Sequence, residues 1–251
     1  MKEKTFFKTL YPTTKFGLAC AIALSSILVD NIIYSYSCFF ICAIICLECG
    51  VIKDYMKYGI ASVGVLAFFI LIMQMFFNPS DDIIWKWHFL KLTHEGINFG
   101  LKMSSRIVAI GFSFVMFFRI TDIKDFVFAL EKMGVSPKAS YIVLSTVEMI
   151  PEMKKQSEVI MDAQRSRGIE TEGSIANRMK AFLPVLGPFV VSSIANTEER
   201  ALTLQARGFS VKTKKSSLKT LEKSNRDKII NIFMSLIMVV LIGWRASLWL
   251  L

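Results

Sequence analysis

Nowhere in this chain is a glycine followed directly by lysine, so the GxxxxGK[ST] loop that cradles nucleotide phosphates is missing, and any ATP must be hydrolysed elsewhere. Histidine is scarce: His88 and His94 stand apart, with no carboxylate or thiol at ligand spacing, and neither receives a role. There is no HExxH, no GxSxG and no CxxC paired with a second CxxC, which removes the common hydrolase and zinc signatures. Glu148 and Glu152 have the i, i+4 spacing of a carboxylate pair, but Lys154 and Lys155 beside them mark a solvated helix face. The basic run 212–228 lacks any aromatic residue on which a base could stack. It is expected to anchor topology against anionic lipid, and nucleic acid is not an expected partner. A small-residue cleavage site is also missing after the first apolar run, so that run is expected to stay in place as a span.

What the chain has is hydrophobicity in long runs. Of 251 residues, 53% are hydrophobic and the mean hydropathy is +0.49. The apolar residues gather at about 16–29, 32–47, 58–77, 97–118 and 229–244. A hydrocarbon core needs about 20 residues of helix, so the sequence predicts an all-α polytopic membrane protein of about five spans. The first two runs are short, and 16–47 is open to two readings: two spans or one re-entrant hairpin, with Asp30-Asn31 at its polar tip.

Net charge is +10, and its distribution sets the orientation. Four lysines lie in 1–15, two basic residues in 48–57, ten in 119–181 and nine in 200–228, which leaves only Lys86, Lys91, Lys102, Arg106 and Arg245 of the 30. The positive-inside rule then puts the N-terminus in the cytoplasm and Trp85, Trp87, Trp244 and Trp249 near the outer headgroups. The expected division is 1–118 for four membrane helices, 119–228 for a cytoplasmic region and 229–251 for the last span. Arg106 lies inside the fourth run, where a charge is costly unless it pairs or faces the bundle, so it is an intramembrane candidate for function or for structural pairing. Cys38, Cys42, Cys46 and Cys49 recur down one side of the second run and suit a packing interface of small residues better than a soft-metal path; no metal ligand set is assigned.

The middle region has clear punctuation. Ser136-Pro137 predicts a helix start, with Ser136 as cap and Pro137 at the first position. Pro151 predicts a kink or break, giving a short helix followed by one over 152–167 that ends at Gly168. The apolar stretch 181–195 contains Pro184 and Pro188 and is read as a non-spanning segment on the membrane or against an apolar partner, since a span there would move the following basic residues outside. Forty positions after MDAQRSRGIE (161–170) the same ending returns in LTLQARGFS (202–210), with Glu158 and Glu198 each nine positions before an arginine. In both, an arginine in the last turn meets the negative end of the helix dipole and its guanidinium points past the terminus. One such ending is ordinary; two with matched flanks suggest two plugs for acidic pockets on other proteins.

On these residues the chain resembles the transmembrane T component of energy-coupling factor (ECF) transporters, the group that includes the permease of cobalt and nickel importers. The likeness is carried by Ser166-Arg167-Gly168 and Ala206-Arg207-Gly208, and extends to Tyr11-Pro12-Thr13-Thr14-Lys15, Ser105-Arg106 and the stretch 120–135 leading to Pro151. The first tripeptide has Ser166 where alanine is common, a small-for-small change. The resemblance implies a subunit without catalytic activity or cofactor, in a prokaryotic plasma membrane. It implies two cytoplasmic ABC-type ATPases as partners, and a small membrane S component that binds a vitamin or transition-metal ion. It further implies that Arg167 and Arg207, at the tips of two coupling helices, dock into the two ATPases and pass their movement to the S component. The segment 181–195 and Met149, Met153, Met161 and Met179 are candidates for the S-component contact, or for packing within the region. The sequence names no substrate and does not say whether the ATPases are identical. A stand-alone secondary transporter remains as an alternative, though two similar halves with broken helices are not evident. An intramembrane enzyme is a third, without a recognisable nucleophile or metal set.

Overall fold

The first helices form where the capping chemistry allows them. Tyr11 is extended and Pro12 opens α1 (Pro12–Leu28), where a missing N–H costs nothing. Asn31 opens α2 (Ile32–Glu48) by accepting the Ile33 N–H at 3.0 Å. The structure is a computed structural model describing residues 6–77, 83–87, 90–169, 174–209, 211 and 223–250. It divides into two units, Met1–Val135 with Leu221–Leu251, and Ser136–Thr220.

In the first unit, α3 (Ile52–Gly59) runs through a π-helical turn (Ile60–Gly64) into α4 (Val65–Phe77). After α5 (His94–Ile120) come α6 (Ile123–Lys132) and, at the end of the chain, α9 (Asn225–Leu250). Among the described residues, Ile52–Phe77, His94–Ile120 and Asn225–Ser247 are long and apolar enough to cross a membrane. Helices α1 and α2 have 17 residues each, about 25 Å at 1.5 Å per residue, against a hydrocarbon core of about 30 Å. The protein is thus an all-α polytopic membrane protein. One small exception stands where the sequence reading had only a loop: β1 (Ile83–Trp87) and β2 (Leu90–Thr93) pair antiparallel, with Trp87 opposite Leu90. Ile83, Trp85 and Trp87 alternate in the manner of a short strand, a signal too brief to register beside long apolar runs. His88 lies outside the described residues, and His94 is the exposed first residue of α5.

Helix α5 is the axis of this unit and packs against α1, α2 and α4. Cys42, Ile45 and Cys46 of α2 meet Tyr55, Phe112 and Met116 in its core, so the cysteine row serves packing. Close approach is set by glycine. A Cβ on Gly59 would come within 2.2 Å of the Phe112 ring, and one on Gly111 within 2.5 Å of Val63. Helix α6 belongs to the same unit: Phe126 lies 5.3 Å from Phe16 and 5.2 Å from Phe117, ring centre to ring centre.

The second unit is α7 (Pro137–Ser166) and α8 (Ile175–Ala206). Ser136 accepts the Ala139 N–H at 3.3 Å with Pro137 at the first position, as its sequence predicts. Pro151 does not break α7, contrary to the expectation of two pieces: the helix runs through it for 30 residues. A proline removes one rung of the ladder, and the turns on either side supply the rest. Helix α8 likewise contains Pro184 and Pro188, so the apolar segment 181–195 is helical.

Candidate functional site: two arginine-ended helices

The two helix ends singled out by sequence are built alike. At the end of α7, Gly168 is left-handed (φ 84°); its N–H bonds to the Arg165 carbonyl at 2.9 Å, and the Ile169 N–H bonds to the Gln164 carbonyl at 3.1 Å. At the end of α8, Gly208 is left-handed (φ 72°), its N–H bonds to the Gln205 carbonyl at 2.9 Å, and the Phe209 N–H bonds to the Leu204 carbonyl at 3.0 Å. Both are Schellman endings, which need a residue tolerant of positive φ one place after the arginine. Arg167 and Arg207 therefore occupy the same capping position, where the last carbonyls attract a cation. Both are exposed, as are Ser166 and Ala206, and among the described residues neither arginine makes an ion pair. Ser166 donates to the Asp162 carbonyl at 3.1 Å, and Arg165 pairs with Asp162 at 3.4 Å.

Contacts among the described residues register α7 against α8. Gln164 Nε2 donates to the Pro184 carbonyl at 3.2 Å; Arg200 pairs with Glu152; and Phe209 stands 4.9 Å from Tyr141. As one number rises the other falls, so the helices are antiparallel. Arg167 and Arg207 consequently lie at opposite ends of the pair, separated by about 35 Å of helix at 1.5 Å per residue. No residue pattern announces this distance. The sequence reading also missed Gln164, a nearly buried side chain in a unit whose surface is mostly open, 6% exposed. Its signal was Pro188, since a proline inside a helix leaves the carbonyl four residues back without a donor.

The methionine candidates divide: Met149, Met153 and Met161 are half-buried, Met179 exposed. Met153 joins Phe189, Val190 and Ile194 in lining an open groove of about 490 Å³. Along 181–195, Phe182, Leu183, Val190, Val191 and Ile194 are all exposed. The Glu148–Glu152 pair is exposed too, and Glu152 is engaged by Arg200.

Arg106 is in the other unit, on α5. Its guanidinium pairs with Asp30, the tip residue between α1 and α2, which also holds Lys102 at 2.8 Å and Arg245 at 3.9 Å. Three of the five basic residues outside the four basic segments thus converge on one carboxylate. Of the two roles open to Arg106 in the sequence, this geometry gives it a structural partner.

The family model for CbiQ, described as a cobalt transport protein, matches residues 3–220. The chain belongs to the CbiQ family. Among similar proteins, the energy-coupling factor transporter transmembrane protein EcfT of Staphylococcus aureus is 28% identical over 180 residues, which is 68% of this chain and 67% of the relative. The EcfT protein of Acidaminococcus fermentans is 31% identical over 176 residues, 66% of this chain and 65% of the relative. That of Brevibacillus brevis is 25% identical over 200 residues, 76% and 75% respectively. The likeness to ECF T components that the two tripeptides carry is borne out by these matches.

Proposed function

We propose that this protein is the transmembrane coupling subunit of an ECF-type ABC importer, taking up a vitamin or a transition-metal ion. In this reading it has no catalytic activity. Two cytoplasmic ABC-type ATPases hydrolyse ATP, a membrane S component carries the substrate, and the T component links them. The observation that carries the reading is the pair of identical helix endings, with Arg167 and Arg207 exposed at opposite ends of one antiparallel pair. Two anchors some 35 Å apart suit two ATPase subunits side by side, and relative movement of those subunits would turn or tilt the helices between them. The exposed apolar residues of 181–195 supply a surface for the S component.

The same reading assigns the N-terminus, the segment 48–57 and residues 119–228 to the cytoplasm, and the Asp30 cluster to the outer side of a prokaryotic plasma membrane. The steep distribution of lysine and arginine supports that orientation.

The test is a detergent pull-down of the tagged protein co-expressed with the ATPases encoded beside its gene, wild type against Arg167→Ala/Arg207→Ala. Anchors of this kind are hot spots, each costing on the order of 2 kcal/mol or more on truncation. The wild type is expected to retain both ATPases and their activity, and the double variant to lose them. Equal retention would make the arginines ordinary helix endings and end the coupling assignment.

A further inference from the structure

We propose that Gln164 is a positioning residue: its side-chain amide is the pivot through which displacement of the Arg167 end reaches the apolar segment of α8. The inference rests on the coupling function proposed above and adds to it the route taken inside the subunit.

Proline has no N–H, so Pro188 cannot close the helical bond to the carbonyl four residues before it. That carbonyl belongs to Pro184, and Gln164 Nε2 supplies the missing donor from the neighbouring helix at 3.2 Å. Gln164 is 6% exposed and the adjacent Val185 also 6%, so water does not replace the bond easily. Sliding the helices at this point would strand an amide donor and a carbonyl together in a part-buried contact, which holds them in step. The backbone of the same residue completes the helix end, since the Gln164 carbonyl accepts from Arg167 N–H and Ile169 N–H, both at 3.1 Å. One residue therefore shapes the turn that presents Arg167 and grips α8 within the apolar segment.

The other two contacts named above are softer. Arg200 and Glu152 are 39% and 60% exposed, where solvent competes for each charge, and Tyr141 meets Phe209 through tilted rings. The pair is stiff next to Arg167 and yielding toward Arg207. A movement of the two ATPases would then turn α8 about Pro184 instead of shifting the hairpin as one rod.

The experiment uses the chain purified with its two ATPases, with hydrogen exchange followed in the nucleotide-free state and after trapping with ATP and vanadate. In the wild type, trapping is expected to change exchange in both 160–169 and 185–195. Gln164→Leu removes the donor. Pro188→Ala gives the Pro184 carbonyl a helical donor of its own, so the Gln164 amide shares its acceptor and its grip on α8 weakens. Each is expected to keep the ATPases and the response of 160–169 while reducing the response of 185–195 at least threefold. Because both variants act on the same link, the double variant is expected to lose no more than Gln164→Leu alone.

An undiminished response of 185–195 in either single variant, additive losses, or release of the ATPases by Gln164→Leu would overturn the pivot. A wild type that binds no ATPases, or whose 160–169 ignores nucleotide, would instead overturn the coupling function, a separate failure.

Discussion

The buried carboxylate of Asp227 accepts the backbone N–H of Tyr11 at 2.9 Å, joining the start of the last helix to the start of the first across 216 positions. Its second oxygen accepts the Ser224 N–H at 2.9 Å, so one side chain serves two helix entrances, α1 and α9. Next to it, Asn231 Nδ2 reaches Thr14 Oγ1 at 3.4 Å.

Removing that acceptor is expected to loosen the first unit at this seam. Asp227→Ala leaves the buried Tyr11 N–H without its acceptor, while the Ser224 N–H is exposed enough to turn to water, at about 1–3 kcal/mol in total. Asp227→Asn keeps one acceptor and should cost roughly half as much. Thermal unfolding in detergent measures this as a Tm lowered in the order Ala, then Asn, then wild type. Three equal Tm values would show that the double cap contributes nothing.

Asp30 is expected to be coupled to Arg106. Asp30→Ala leaves Lys102, Arg106 and Arg245 facing one another without their common anion. The groups are partly exposed, which limits the coupling to about 1–2 kcal/mol. A cycle of Asp30→Ala, Arg106→Gln and the double variant should therefore show the double variant more stable than the sum of the singles predicts. Additive losses would mean that Arg106 does not depend on Asp30, and would return it to the set of unexplained intramembrane charges.

The glycines under the α3–α5 contact are expected to tolerate no side chain. Phe112 is itself buried in the core and has nowhere to retreat, so Gly59→Ala should cost about 1–3 kcal/mol by overpacking. Gly111→Ala meets Val63 and should behave similarly, and adding Val63→Ala should recover most of the loss. Yield of monodisperse protein and Tm both read the effect; a Gly111→Ala variant with unchanged values would mean that the helices separate easily at this point.

Much of the membrane unit was legible because lipid imposes a one-dimensional rule: a span must be long, apolar and closed in its own hydrogen bonds, and each of those properties is local. The runs at 58–77, 97–118 and 229–244 meet the rule on inspection; the first helix found there begins six residues earlier and ends at the same Phe77, and the other two extend their runs by a few residues at each end. The helix end at Gly168 was legible for a similar reason, since a left-handed residue after a last-turn arginine leaves its mark within four positions. Pro151 was misleading, because local chemistry states which hydrogen bond is lost and says nothing of how many neighbouring bonds carry the helix onward.

Residue chemistry alone puts the chain in lipid, starts a helix at Ser136-Pro137 and ends two helices in matching arginine-glycine turns. Those facts follow from hydropathy, capping chemistry and the demand for positive φ, all written within a few consecutive residues. Which distant groups meet is settled by packing: Asp30 with Arg106, Asp227 with Tyr11, and Gln164 with the carbonyl that Pro188 leaves bare. Those pairings depend on the register and direction of helices against one another. Register is set by the summed fit of many small contacts, with no single residue whose chemistry announces it.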